Sequence, residues 1–141
     1  MPNKYMNYMV DEGCFNPYRE HKDDAGLELR SPVSVLIAPA TSRTIDTGIH
    51  LEIPRGFCGV ILPKSGLMVN HGLVSFGVVD SGSTGSIRVK LFNWSSLPYQ
   101  IERGDKISQI LILPVALPDL KRVDEFQETE RGDNGFGSTG K

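Results

Sequence analysis

No apolar run in this sequence approaches the ~20 residues that a bilayer-spanning helix needs, so a helical membrane protein is excluded. Lys4, Asn7, Asp11 and Glu12 interrupt the beginning of the chain, where a secretory signal would carry a continuous apolar core. Charge of one sign is also missing. The 15 basic and 17 acidic residues leave a net charge of −2, which gives no electrostatic basis for nucleic acid as a general partner. Cysteine is scarce, with Cys14 and Cys58 far apart and no CxxC. Two such thiols are expected to be free in a reducing cytosol, Cys58 buried and inert, with a lone disulfide as the alternative that nothing in the sequence supports. His21, His50 and His71 have no ligand spacing with the cysteines, which argues against zinc. The expectation is a soluble cytoplasmic protein.

The 141 residues suit one domain, and 39% hydrophobic content suffices for a core. With 15 Gly and 9 Pro, turns and short strands are favoured over long helices. Alternation predicts strands at 5–10, 25–30, 33–37, 44–53, 58–62, 74–79, 87–92, 99–101 and 107–113, with a last one at 119–128. The one helical turn expected is 64–72, closed by Gly72. Trp94 is read as core or interface packing. Many short strands with regular turn signals make an all-β sandwich, barrel or jelly roll.

Four stretches hold polar groups where chemistry can occur. In Gly77-Val78-Val79-Asp80-Ser81-Gly82-Ser83-Thr84-Gly85 an apolar run delivers one carboxylate, Asp80, into a Ser/Gly/Thr turn. It reads as a β-hairpin whose first strand ends on an acid, though Asp is also common where any turn begins. Lys64, Ser65 and Gly66 open the helical turn, which suits either an anion site or a plain N-cap. Gln109 interrupts the apolar strand 107–113, so its amide is either hydrogen-bonded or turned outward. The tail from Arg131 to Gly140 combines a cation, the aromatic Phe136 and Gly/Ser/Thr backbone. Such a segment is by default disordered, yet these are also the parts of an arm that folds over a nucleotide.

Five stretches, in order, resemble the five motifs of the trimeric dUTPase family. They are Ala25-Gly26-Leu27-Glu28-Leu29, Pro63-Lys64-Ser65-Gly66-Leu67, residues 77–85 with Leu91-Phe92-Asn93, Arg103-Gly104-Asp105-Lys106-Ile107-Ser108-Gln109, and residues 131–140. The resemblance implies a distorted jelly-roll (β-clip) subunit over residues 1–130 and an arm, 131–141, that closes an active site of a homotrimer. It implies Mg²⁺-dependent hydrolysis of dUTP to dUMP and pyrophosphate. Asp80 matches the family's water-activating aspartate, Ser65 and Gln109 match its phosphate contacts, and Lys64 and Gly66 beside Ser65 fall among the substrate-binding positions. Val79 and Ser83 fall in the stretch that reads uracil. Arg131, Phe136, Gly137, Ser138 and Thr139 match the groups that grip the terminal phosphate, stack on the base and cover the triphosphate. Three positions depart from the family pattern. Glu28 replaces an aspartate that holds the metal through water, Lys64 replaces an arginine, and Ser83 replaces a tyrosine that packs on deoxyribose. These departures leave open a nucleotide-binding regulatory protein on the same fold, with weak or no catalysis. A relative of the dCTP deaminases is a further alternative, which the Gly77-Val78-Val79-Asp80 form disfavours.

Overall fold

The computed structural model describes residues 4–134. They form eleven short strands and one helix: β1 (Tyr8–Val10), β2 (Leu27–Arg30), β3 (Val35–Ile37), β4 (Ser42–Asp46), β5 (Ile49–Leu51), β6 (Phe57–Leu62), α1 (Ser65–His71), β7 (Leu73–Val74), β8 (Gly77–Val79), β9 (Arg88–Asn93), β10 (Tyr99–Ile101) and β11 (Lys106–Pro114). All ladders are antiparallel. The central sheet runs β2-β11-β6-β8 and a second runs β4-β9-β7, with the pairs β1-β5 and β10-β3 completing the all-β jelly-roll architecture. No helix of the described residues is long and apolar enough to cross a membrane.

The core follows from the alternation. Val89 and Leu91 of β9 are buried while Arg88 and Lys90 between them are exposed, as period-2 patterning requires. Leu29, Ile37, Ile45, Ile49, Leu51, Ile61, Ile101, Ile107 and Ile110 join them in one cluster contributed by every sheet. β11, the longest strand, lies between β2 and β6, and its run Ile110–Leu113 is apolar throughout. The helix ends where expected. Gly72 adopts φ 66° in the left-handed region, and its N–H bonds back to the Leu67 and Met68 carbonyls.

Several expectations are corrected. The expected strand 44–53 is two strands, because the chain breaks at Thr47–Gly48 with Gly48 at φ 71°. Residues 74–79 likewise split, with β7 in one sheet and β8 in the other. The stretch 77–85 is therefore not a hairpin. β8 pairs with β6 and β9 pairs with β4 and β7, so the 80–86 segment is a loop that carries the chain between sheets. Alternation reports which residues face inward and says nothing of which neighbour a strand bonds to. No strand forms at 119–128, where every residue is exposed. Trp94 is 76% exposed and not in the core, and Cys58 is only half-buried.

Candidate active site

At the C-terminal end of β6 the chain turns through Pro63 into α1. Gln109 of β11 sits opposite both Glu28 of β2 and Leu62 of β6, so the first, second and fourth motifs meet at one place. The Gln109 amide donates to the Pro63 carbonyl at 3.0 Å, so this polar group inside an apolar strand has a partner. The amide oxygen lies against Gly26, where any Cβ would overlap it. Only glycine leaves room for that side chain. Behind it, Ser108 donates to the Leu62 carbonyl at 2.7 Å and shares a hydrogen bond of 2.8 Å with Ser75. These fully buried hydroxyls tie β11 to the end of β6.

Glu28 and Lys64 form an ion pair at this junction, through Glu28 Oε1. Glu28 is 6% exposed, and its second oxygen, Oε2, is buried without a protein partner. A buried carboxylate oxygen carries a large desolvation cost unless something donates to it or coordinates near it. Ser65 is the first helical residue and not the cap; Lys64 occupies the cap position and makes no side-chain cap bond. Ser65 and Gly66 are exposed. The helix's first backbone bond runs from the Met68 N–H to the Lys64 carbonyl, so the N–H groups of residues 65–67 precede the helical ladder and open outward.

Asp80 stands elsewhere. Val79 pairs with Gly59 and Gly77 with Ile61, so the chain leaves β8 toward the beginning of β6, while Ser65 follows the end of β6. About 13 Å of strand separates those two levels. One copy of the chain gathers Gly26, Glu28, Lys64, Ser65 and Gln109, and holds Asp80 at the opposite end of the same sheet. Asp80 is exposed, and its carbonyl accepts from the Ser83 N–H at 3.0 Å to form a tight turn. Beside the turn lies a cleft of about 200 Å³ lined by Val79, Ser83, Gly85 and Arg88 among others. Arg131 donates to the Asn134 carbonyl at 2.9 Å, while Phe136, Gly137, Ser138 and Thr139 lie outside the described residues.

Two arrangements near the loop carry no sequence signal, because their contacts to the loop and to Asp11 join residues 34 to 40 positions apart with no periodic spacing. His50 contacts the Thr84 carbonyl at 2.8 Å through Nδ1 and Asp11 at 2.9 Å through Nε2. Asp46 accepts from the Ser86 hydroxyl and from the Gly48 N–H, and these bonds, the Ser86 one foremost, hold its carboxyl below the usual range. No group of three or more His, Cys, Asp or Glu able to hold a metal occurs among the described residues.

Comparison with known proteins identifies the family and the fold. The dUTPase family profile matches residues 15–140. A deoxyuridine 5'-triphosphate nucleotidohydrolase of Corynebacterium efficiens is 43% identical over 94% of this chain and 75% of its own length. The enzyme of that name from Clostridium kluyveri is 41% identical over 93% of this chain and 94% of its own. Among solved structures, the Staphylococcus bacteriophage 80alpha dUTPase with dUPNHPP superposes with a TM-score of 0.92 at 28% identity, covering 98% of this chain and 99% of that one. A point mutant of the dUTPase from phage phi11 of S. aureus, described with a structural Mg(II) ion, superposes at 0.81 and 28% identity over 86% of this chain and 98% of that one. A profile that spans the motifs from the first to the last, and a fold that superposes almost end to end, make this chain a member of the dUTPase family.

Proposed function

We propose that the protein hydrolyses dUTP to dUMP and pyrophosphate, and that each active site is assembled from more than one copy of the chain. The observation that carries the reading is the separation just described. A phosphate-binding corner built from Lys64, Ser65, Gly66 and Gln109 stands at one end of β6, and the only acid of the 77–85 stretch, Asp80, stands at the other. A second copy brings its Asp80 to the first copy's corner, and family members act as homotrimers in this manner.

In this arrangement Ser65, with the open N–H groups of the first helical turn, binds phosphate oxygens, and Lys64 supplies positive charge beside them. Gln109, held rigid by Pro63 and Gly26, directs its amide to the same chain of phosphates. Asp80 orients a water for in-line attack on the α-phosphorus and accepts its proton. Val79 and Ser83 border the cleft that takes the nucleoside. The arm 131–141 contributes Arg131 to the terminal phosphate and Phe136 to the face of the base, with Gly137, Ser138 and Thr139 closing over the triphosphate.

The donor set fits a magnesium ion held mainly by the substrate. Hard cations keep several waters and prefer one or two carboxylates plus phosphate oxygens, and Glu28 offers one buried, unpartnered carboxylate oxygen at the phosphate corner. Glu28 would hold the ion through water. The ion would supply charge neutralisation across the triphosphate. Lys64 pairs with Glu28 in place of the family's arginine and aspartate, so the shorter reach of one side chain is matched by the longer reach of the other. We assign the protein to the cytoplasm, in keeping with its two free cysteines.

Pyrophosphate release from dUTP with Mg²⁺ tests the activity. The wild-type protein should release it, and Asp80→Asn should lower kcat by about 10³-fold with an unchanged melting profile. Absence of release by the wild-type protein, or an Asp80→Asn variant as fast as wild type, would contradict the assignment.

A further inference from the structure

The loop of residues 80–86 has little of its own to hold it. Its residues are mostly exposed, and Gly82 and Gly85 have open space where a side chain would sit. The Ser83 N–H bond to the Asp80 carbonyl closes the entry, and the Ser86 hydroxyl on Asp46 and the Ile87 N–H on the Ile49 carbonyl at 2.8 Å close the exit. Between them, the Thr84 carbonyl is gripped by His50 Nδ1, whose other nitrogen meets Asp11. Both neighbours of the ring are acceptors, a carbonyl and a carboxylate. An imidazole satisfies two acceptors only when both nitrogens carry hydrogen, which is the cationic form. The Thr84 hydrogen bond foremost, and then Asp11, accordingly raise the His50 pKa above 6.5.

We infer that Asp11 and His50 form a positioning pair that fixes the 80–86 loop, and with it the nucleoside subsite beside Val79 and Ser83. The inference deepens the dUTPase reading and rests on that loop being the nucleoside subsite. The pair reaches the loop from two different elements. Asp11 follows β1, which pairs with β5, and His50 is the middle residue of β5. The other charged group acting on it is Asp46 at the end of β4, which faces Arg88 of β9 at 3.8 Å. Asp46 reinforces the cationic ring, and no cation is among the groups acting on it. The conformation of the loop, and so affinity for nucleotide, becomes dependent on the charge of one histidine.

The sign is fixed by the direction of the shift. A histidine whose pKa is raised by folding holds its contacts fully below the unfolded value near 6.5 and loses them as pH rises through the folded value. Nucleotide affinity should fall over that upper window.

Two readouts on the full-length protein test the inference. The Gly85 amide belongs to the same peptide as the Thr84 carbonyl, so its ¹H–¹⁵N resonance should titrate with the midpoint of the His50 ring. The Kd for dUpNHpp should be raised about five- to tenfold in His50→Ala, the expected cost of one intramolecular hydrogen bond. His50→Gln, which can donate to Thr84 but does not titrate, should restore tight binding and abolish the pH dependence. Asp11→Asn should shift the Gly85 midpoint downward and serves where His50 variants fold poorly. A Gly85 resonance indifferent to the His50 titration overturns the inference, as does an unchanged Kd in His50→Ala. The resonance reads the pair without turnover, so failure to hydrolyse dUTP would reject the catalytic assignment and leave this result standing.

Discussion

Gly48 and Gly56 both adopt left-handed backbone, at φ 71° and 87°, yet their surroundings differ. A Cβ at Gly48 would overlap the Cys14 side chain, whereas one at Gly56 meets nothing within 4 Å. Gly48→Ala should therefore cost about 3 kcal/mol, from backbone strain plus overpacking, while Gly56→Ala should cost about 1 kcal/mol, from strain alone. Thermal unfolding should show a Tm drop of about 10 °C for the first and about 3 °C for the second. Equal drops would mean that the Cys14 contact is not tight. At this scale the sequence was informative where chemistry is local. Gln109 is conspicuous in an apolar run, and its hydrogen bond to Pro63 explains it. His50 was not conspicuous, because its two partners lie 34 and 39 residues away and nothing in their spacing marks them.

Among the elements, β11 is the most readable, since its apolar run Ile110–Leu113 marks a strand lying between two neighbours. The link between β8 and β9 is the least readable. Two alternating runs around a Gly/Ser turn look like a hairpin, but each run found a better partner, β6 for one and β4 for the other. Hydrogen-bond partners are chosen by the whole sheet, and local patterning does not encode them. The same reason accounts for the break at Gly48, where alternation continues across a corner between sheets. Residues 131–134 are exposed, and the motif they begin offers no apolar face. Deleting residues 131–141 should lower kcat/KM for dUTP by at least about 100-fold, the scale of losing phosphate and base contacts together, and leave Tm within about 2 °C. A truncation that unfolds early, or one that keeps full activity, would show that the arm is structural or idle.

Viewed as one molecule, a single chain leaves much apolar surface in water. Leu117, Leu120, Val123 and Phe126 of the final segment are exposed, Leu120 at 96% and Phe126 at 90%, as are Phe76 and Val78 near the loop. Exposed apolar side chains in such number suit the proposed assembly of several copies, and the segment 119–128, expected as a strand, forms none within the single copy. Composition and alternation report which residues are apolar and not what covers them, so the pattern at 119–128 anticipated a strand that the described chain does not form. The trimer and the divided site are the same claim. The proposed site takes Ser65 from one copy and Asp80 from another, so two inactive variants should repair each other. Ser65→Ala and Asp80→Asn, purified separately, unfolded and refolded together, should regain about a quarter of wild-type kcat through sites that draw Ser65 from one chain and Asp80 from another. A mixture as inactive as its two components would contradict the account, because it would place both residues in a site made by a single chain.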